Sequence, residues 1–185
     1  MSFRRTLLIT ALALSGATLS SVAAAADFKL SSPTLAAGST IGAEHYWNNF
    51  GCSGQNLMPE LRWSNPPAGT QSYAVTFYDK DAPTGSGFWH WVAYDIGAHV
   101  SSLPGGVGGG HLPEGTVQGN TDLGKSGYFG PCPPVGRMHE YRYTVHALKV
   151  AKLPVDSSAS PALVGFYIWQ SSLGQASFSV KAGPR

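Results

Sequence analysis

Residues Ser72 to Tyr78 read Ser-Tyr-Ala-Val-Thr-Phe-Tyr, and His90 to Ile96 read His-Trp-Val-Ala-Tyr-Asp-Ile. Runs so rich in β-branched and aromatic side chains predict two strands. Tyr141 to Val150 alternates, with Tyr141, Tyr143, Val145 and Ala147 on one side and Arg142, Thr144 and His146 on the other. A period of two predicts a third strand with one face buried. Phe28 to Leu35 predicts a first strand, stopped around Pro33 and Gly38, and Asn56 to Trp63 leads into a turn at Asn65-Pro66-Pro67-Ala68-Gly69. Ala176 to Lys181 adds a last strand. Asp79–Gly87 is full of turn residues, and Ser101–Gly127 is loop-rich, with five glycines between Gly105 and Gly110. One helix is expected. Ser160 suits an N-cap and Pro161 the first helical position; Leu163, Phe166, Tyr167 and Gln170 follow at helical spacing, and Gly174 offers a stop. The pattern predicts a mainly β, antiparallel domain with a short C-terminal helix.

The N-terminus departs from this pattern. Arg4 and Arg5 are followed by an apolar stretch from Leu7 to Leu19 and by small residues ending at Ala26. Basic, apolar, then small is the grammar of a cleavable signal peptide over residues 1–26, which leaves 27–185 as one domain. The apolar stretch is short and no stop-transfer charges follow it, so a signal peptide is favoured over a membrane anchor. Removal of the leader takes two basic residues and leaves ten of each sign. A neutral domain has neither the basic footprint of a nucleic-acid binder nor a polybasic segment for acidic lipid. The expected location is periplasmic or secreted. An oxidising compartment lets Cys52 and Cys132, the chain's two cysteines, form a disulfide, worth about 4 or 5 kcal/mol on the chain-entropy view; two buried free thiols are the alternative.

Candidate chemistry lies where polar residues interrupt apolar strands. In Tyr78-Asp79-Lys80-Asp81-Ala82-Pro83 two acids end one strand, and in Phe88-Trp89-His90-Trp91 a histidine opens the next. A strand–turn–strand path brings Asp79 and His90 to one end of a sheet. Asp81, beside Ala-Pro, suits an Asx turn equally well. In Gly130-Pro131-Cys132-Pro133-Pro134-Val135-Gly136 three prolines in four residues stiffen the backbone before any ligand arrives. His139 and Tyr141 then enter a strand on the same face.

These two stretches, Asp79-Lys80-Asp81-Ala82-Pro83 with His90-Trp91, and Gly130–Gly136 with His139-Glu140-Tyr141, resemble the paired signature blocks of the phosphatidylethanolamine-binding protein family, also called Raf kinase inhibitor-like proteins. Lys80 stands where the family pattern has proline. The segments Pro59–Pro67 and Asn120–Tyr128 match as well, and the likeness runs from about Phe28 to the C-terminus, nearest the bacterial and archaeal branch. The resemblance implies a large central β-sheet packed on a smaller one. It also implies a cavity for phosphate, phosphorylethanolamine, acetate or similar anions. By motif position that pocket comprises Asp79, Pro83, His90, Gly130, Pro133, Pro134, His139 and Tyr141, with Phe88 and Trp89 at its rim. Two imidazoles can each donate an N–H to phosphate oxygens, more strongly when protonated, and the Gly130 and Cys132 amides are further candidate donors. Asp79 is better suited to hold a histidine tautomer or to accept from a ligand ammonium. The reading is a binding protein for a small anionic or phospholipid-headgroup ligand, with no metal or other cofactor required, as a monomer or homodimer.

Two rival classes remain open. Asp79, the histidines and Ser86 or Ser126 invite a hydrolase reading, but no strand–turn–helix nucleophile elbow is present. Two histidines and a carboxylate can bind a metal, yet no close His-x-His pair occurs. The glycine run ends in His111-Leu112-Pro113 and is no phosphate loop. An interaction protein acting on a protease or envelope partner also suits export, with Tyr46, Trp47, Phe88 and Trp89 as candidate exposed aromatics. His45, His99 and His111 are expected to be solvated in loops, and His146 to be structural.

Overall fold

The structure is a computed structural model and describes residues 26–185; residues 1–25 of the expected leader lie outside the described residues. The strands run β1 (Lys29–Ser31), β2 (Leu57–Met58), β3 (Leu61–Ser64), β4 (Ser72–Asp79), β5 (Phe88–Gly97), β6 (Ser102–Leu103), β7 (Gly106–Val107), β8 (Val117–Gln118) and β9 (His139–Leu148). Helix α1 (Pro161–Ser171) and strand β10 (Ser172–Ala182) complete the chain. A five-stranded antiparallel sheet, ordered β10-β9-β4-β5-β8, dominates. A three-stranded sheet, β1-β3-β6, packs on it, and β2 pairs with β7.

The main core lies between the two larger sheets. Leu30, Leu61, Trp63 and Leu103 of the small sheet meet Tyr73, Val75, Phe77, Trp91, Tyr143 and Val145 of the large one. Proline explains two boundaries: β1 is shorter than the expected Phe28–Leu35 strand and ends ahead of Pro33, and Pro59 divides the Asn56–Trp63 run into β2 and β3.

The expected one-sided burial of the Tyr141–Val150 strand, now β9, needs correction. The second face of the large sheet is covered too, because Ala74, Val92, Tyr94 and Leu148 pack against Val164 and Ile168 of α1. Thr144, expected on an open face, is therefore buried, while Arg142 is exposed. The helix begins as expected: the Ser160 hydroxyl oxygen accepts from the Leu163 amide at 3.2 Å, with Pro161 following. It buries Pro161, Val164, Ile168 and Ser171, and its bulkiest residues face outward, Trp169 at 76% exposure. It also ends without glycine. Ser172 turns straight into β10, and Gly174 sits inside that strand at a register shift. Residues 38–41 strap the outer edge of β10, with Gly38 donating to Ser179 O at 2.7 Å and Ile41 to Lys181 O at 2.9 Å.

Candidate functional site

The large sheet delivers three polar side chains to one end. Asp79 is the last residue of β4 and His139 the first of β9, and both are buried. The Asp79 Oδ2 lies 2.7 Å from the His139 Nδ1. His90 reaches the same place through a β-bulge. In the β4–β5 register Phe77 pairs with Trp91 and Tyr78 with Trp89, so His90 is the extra residue. A bulge re-aims a side chain: His90 turns toward the core face beside Phe77, 5.5 Å between ring centroids, and Tyr141, at 5.3 Å.

The three side chains line one cavity of about 410 Å3 together with Pro83, Phe88, Cys132, Pro133 and Pro134. Not every residue of the expected pocket reaches its wall. Tyr141 is fully buried beside Asp79 and His90, supporting them from within the core. Its hydroxyl makes no hydrogen bond of good geometry, and burial, with the Asp79 carboxylate next to it, pushes that phenol well above its ordinary range. Gly130 is buried in the loop behind the wall. Its N–H is not available to a ligand, because it donates to the Asn56 Oδ1 at 2.6 Å. A methyl group there would meet the His45 carbonyl oxygen at 2.2 Å, so only glycine fits. Trp89 is not at the rim. Strand alternation sends it to the opposite face, against Tyr78 and near Gly165 of α1.

The turn after β4 is tied down at both ends. The Asp79 Oδ1 accepts the Asp81 amide at 2.9 Å, and the Asp81 Oδ2 accepts the Glu140 amide at 2.7 Å. Asp79 thus serves both the turn and the histidine. Lys80 donates its backbone N–H to the Glu140 carbonyl and pairs its ammonium with that carboxylate at 3.2 Å. A proline at this position would lack that backbone donor.

The far wall is one the sequence reading did not assemble. Trp47, Phe50, Leu123 and Phe129 supply apolar surface, with Trp47 edge-on to Phe129 at 5.2 Å. Cys52 and Cys132 form a disulfide that joins the 47–52 loop to the proline-rich loop. Arg185 bridges the same two loops, donating from Nε to the Pro133 carbonyl at 2.6 Å and from Nη1 to the Gly51 carbonyl at 2.9 Å. Buried Asn56 stitches the loop from behind, also donating from Nδ2 to the Tyr128 carbonyl at 3.0 Å. Phe50 holds a left-handed backbone, φ 52°, uncommon for a bulky residue. The signals for this wall were the cysteine pair and Trp47, which the sequence offered only as a candidate exposed aromatic.

The two imidazoles have different surroundings. The His90 Nδ1 lies 3.0 Å from the Phe129 carbonyl oxygen, which can only accept, so Nδ1 carries the proton. Burial pushes this ring down to about 4, against the opposing pull of the Asp79 carboxylate and the Phe129 and Gly130 backbone. The expectation that His90 donates an N–H to an anion is therefore corrected: near neutral pH the ring is uncharged, and its Nε2 is an acceptor. Of the other histidines, His99 and His111 are exposed as expected. His45 is not, being buried with its Nδ1 2.6 Å from the Leu57 carbonyl oxygen. His146 is partly buried on the helix side, and burial pushes it to about 4. Neither Ser86 nor Ser126 lines the cavity. Among the described residues, no group of three or more His, Cys, Asp or Glu is arranged to hold a metal ion.

Fold and site together define a β-sheet protein with a small, aromatic-walled cavity at the strand ends. The family described as phosphatidylethanolamine-binding protein matches residues 31–182. The UPF0098 protein YbhB of Escherichia coli is 46% identical over 153 residues, 82% of this chain and 97% of that one. The UPF0098 protein YbcL of Escherichia coli is 48% identical over 150 residues, 79% of this chain and 82% of that one. The crystal structure of E. coli YbcL, described as a new member of the mammalian PEBP family, superposes with a TM-score of 0.82 at 43% identity, covering 86% of this chain and all of that one. The chain belongs to the phosphatidylethanolamine-binding protein family.

Proposed function

We propose that this protein is an exported binding protein whose cavity receives a small anion of phospholipid-headgroup size, such as phosphorylethanolamine. The observation that carries this reading is the meeting of Asp79, His90 and His139 in one aromatic-walled cavity. Its volume, about 410 Å3, falls inside the range of small-molecule sites. The aromatic side accommodates a short carbon chain, and the Asp79 carboxylate accepts hydrogen bonds from an ammonium group. Occupancy would then govern how the surface around the cavity meets a protein partner, a protease or an envelope protein. The basic–apolar–small leader supports export, as does the Cys52–Cys132 disulfide, since such bonds persist in oxidising compartments.

Isothermal titration of phosphorylethanolamine into wild type and His139→Gln tests the ligand. One-site binding to wild type, weakened at least tenfold in the folded variant, is expected. Equal affinity for both would remove the cavity from the reading. Fractionation of bacteria expressing the full chain, with N-terminal sequencing, tests export. A mature chain beginning near residue 25–27 outside the cytoplasm is expected, and an intact N-terminus in the cytoplasm would refute it.

A further inference from the structure

We propose that the face of the large sheet turned away from the Asp79–His139 cavity carries a second site, one that takes an uncharged saccharide. Helix α1 covers only part of that face, over Ala74, Val92, Tyr94 and Leu148. Beside it lies a cleft of about 430 Å3, inside the range of small-molecule sites. Three neighbouring strands bring polar groups to it. His146 of β9 pairs with Gln175 of β10 on one side and with Ala74 of β4 on the other, and Thr76 follows Ala74 on the same face. Trp89, from the start of β5, and Trp169, from the last turn of α1, supply aromatic surface. Ser172 adds a hydroxyl where the helix passes into β10.

Two features mark the cleft as more than a gap beside a helix. Trp169 is 76% exposed and shares the cleft with exposed Leu173, so a large apolar surface is left in water at its mouth. Gly165 lies inside α1, where glycine is less favourable than alanine. A methyl there would stand 3.8 Å from the Trp89 ring, an ordinary contact, so packing does not demand the glycine; it leaves the edge of that indole open to the cleft.

The lining selects the class of ligand. Among the described residues none that lines the cleft is Asp, Glu, Lys or Arg. Burial pushes His146 down to about 4 with no hydrogen bond opposing it, so near neutral pH the ring is uncharged, with one donor and one acceptor nitrogen. The Thr76 hydroxyl and the Gln175 amide can likewise both donate and accept. The Ser172 Oγ donates to the Gly174 carbonyl at 3.2 Å and keeps its lone pairs. A charged ligand would be stripped of water with no opposite charge to meet it. A wholly apolar one would leave the polar groups unpaired. A sugar ring suits both halves of the lining. Its C–H bonds pack against the negative face of an indole, and the hydroxyls around its rim exchange hydrogen bonds with groups that both give and accept. A quaternary ammonium would use the indoles alone.

Cellobiose, maltose and N-acetylglucosamine, with choline and glucuronate as charged controls, are titrated into the purified protein by calorimetry, and by NMR with the histidine rings and indole N–H signals followed. At least one saccharide is expected to bind saturably at millimolar concentration or tighter and at least tenfold better than either control. It should move His146, Trp89 and Trp169 and leave His90 and His139 in place. Trp169→Ala, a change at an exposed side chain, is expected to weaken that binding at least tenfold with the unfolding midpoint unchanged. Gly165→Ala is expected to raise the midpoint and weaken binding together; a gap with no ligand role would show the first effect without the second. His139→Gln is expected to leave saccharide binding as it is. No saccharide binding, binding that survives Trp169→Ala, or shifts confined to His90 and His139 would overturn this proposal and leave the headgroup reading standing. Choline bound as tightly as the best saccharide would assign the indoles to a cation and overturn it as well.

Discussion

Acid should destabilise this fold earlier than carboxylate titration alone would, and His90 should be the main reason. The ring is 8% exposed, sits in the β5 bulge, and is held down to about 4 by burial. In the unfolded chain the same imidazole titrates near about 6.5. Between these values the unfolded state binds more protons than the folded one, so stability falls as pH falls. The contribution is complete above about 6.5, shrinks through the window and is lost below about 4. At about 1.4 kcal/mol per pH unit the full gap corresponds to about 3 kcal/mol, and between pH 7.5 and 5 the loss is about 2 kcal/mol. His146 is shifted the same way, but its ring is only partly buried, so water screens it and its share is smaller. The assay is denaturant unfolding of the oxidised protein from pH 7.5 to 5, for wild type and His90→Gln, with m compared to show that the transition itself is unchanged. The variant is expected to lose about 2 kcal/mol less than wild type over that range. Parallel pH profiles for the two proteins would refute the claim that His90 is buried as a neutral ring.

Three further outcomes follow from the loop architecture. Cys52→Ser with Cys132→Ser opens a loop spanning 80 residues of separation; it should cost about 4 to 5 kcal/mol in oxidised-protein unfolding and weaken phosphorylethanolamine binding. Asn56→Ala removes the partner of the buried Gly130 amide and of the Tyr128 carbonyl, with an expected loss of about 2 to 4 kcal/mol by chemical denaturation. Phe88→Ala should weaken ligand binding while Trp89→Leu leaves it unchanged, because only Phe88 lines the cavity; equal effects in titrations of the two variants would contradict the assigned faces of β5.

What the sequence revealed depended on whether side-chain chemistry repeats with a backbone period. β4, β5 and β9 were legible because their buried aromatic and β-branched residues follow one another in runs, and Ser160-Pro161 because capping is local. The approach of Asp79 to His90 was legible from a strand–turn–strand path, and that of His139 only from the resemblance of the two blocks to the family's signature. The bulge was not: the string His90-Trp91-Val92 reads the same with or without an extra residue, and register depends on the partner strand. The outer face of α1 was also opaque. Its large apolar residues, Phe166 and Trp169, point to solvent, while the smaller Val164 and Ile168 fit against the sheet. The Trp47–Phe50 wall depends on contacts across about eighty residues of chain, which the cysteine pair foreshadowed. His45 was misplaced for the same reason, since its buried setting comes from Leu57 and the Gly130 loop.

The cavity is made of two kinds of material. Its floor, with Asp79, His90 and His139, belongs to strands locked into the large sheet; its lip belongs to loops clasped by one covalent bond and one guanidinium. Exchange of residues 47–50 can therefore reset the size and greasiness of what enters while the polar floor keeps its form. On the proposed function, discrimination among ligand tails and recognition of the anionic head would be separable, and each could drift without unmaking the other.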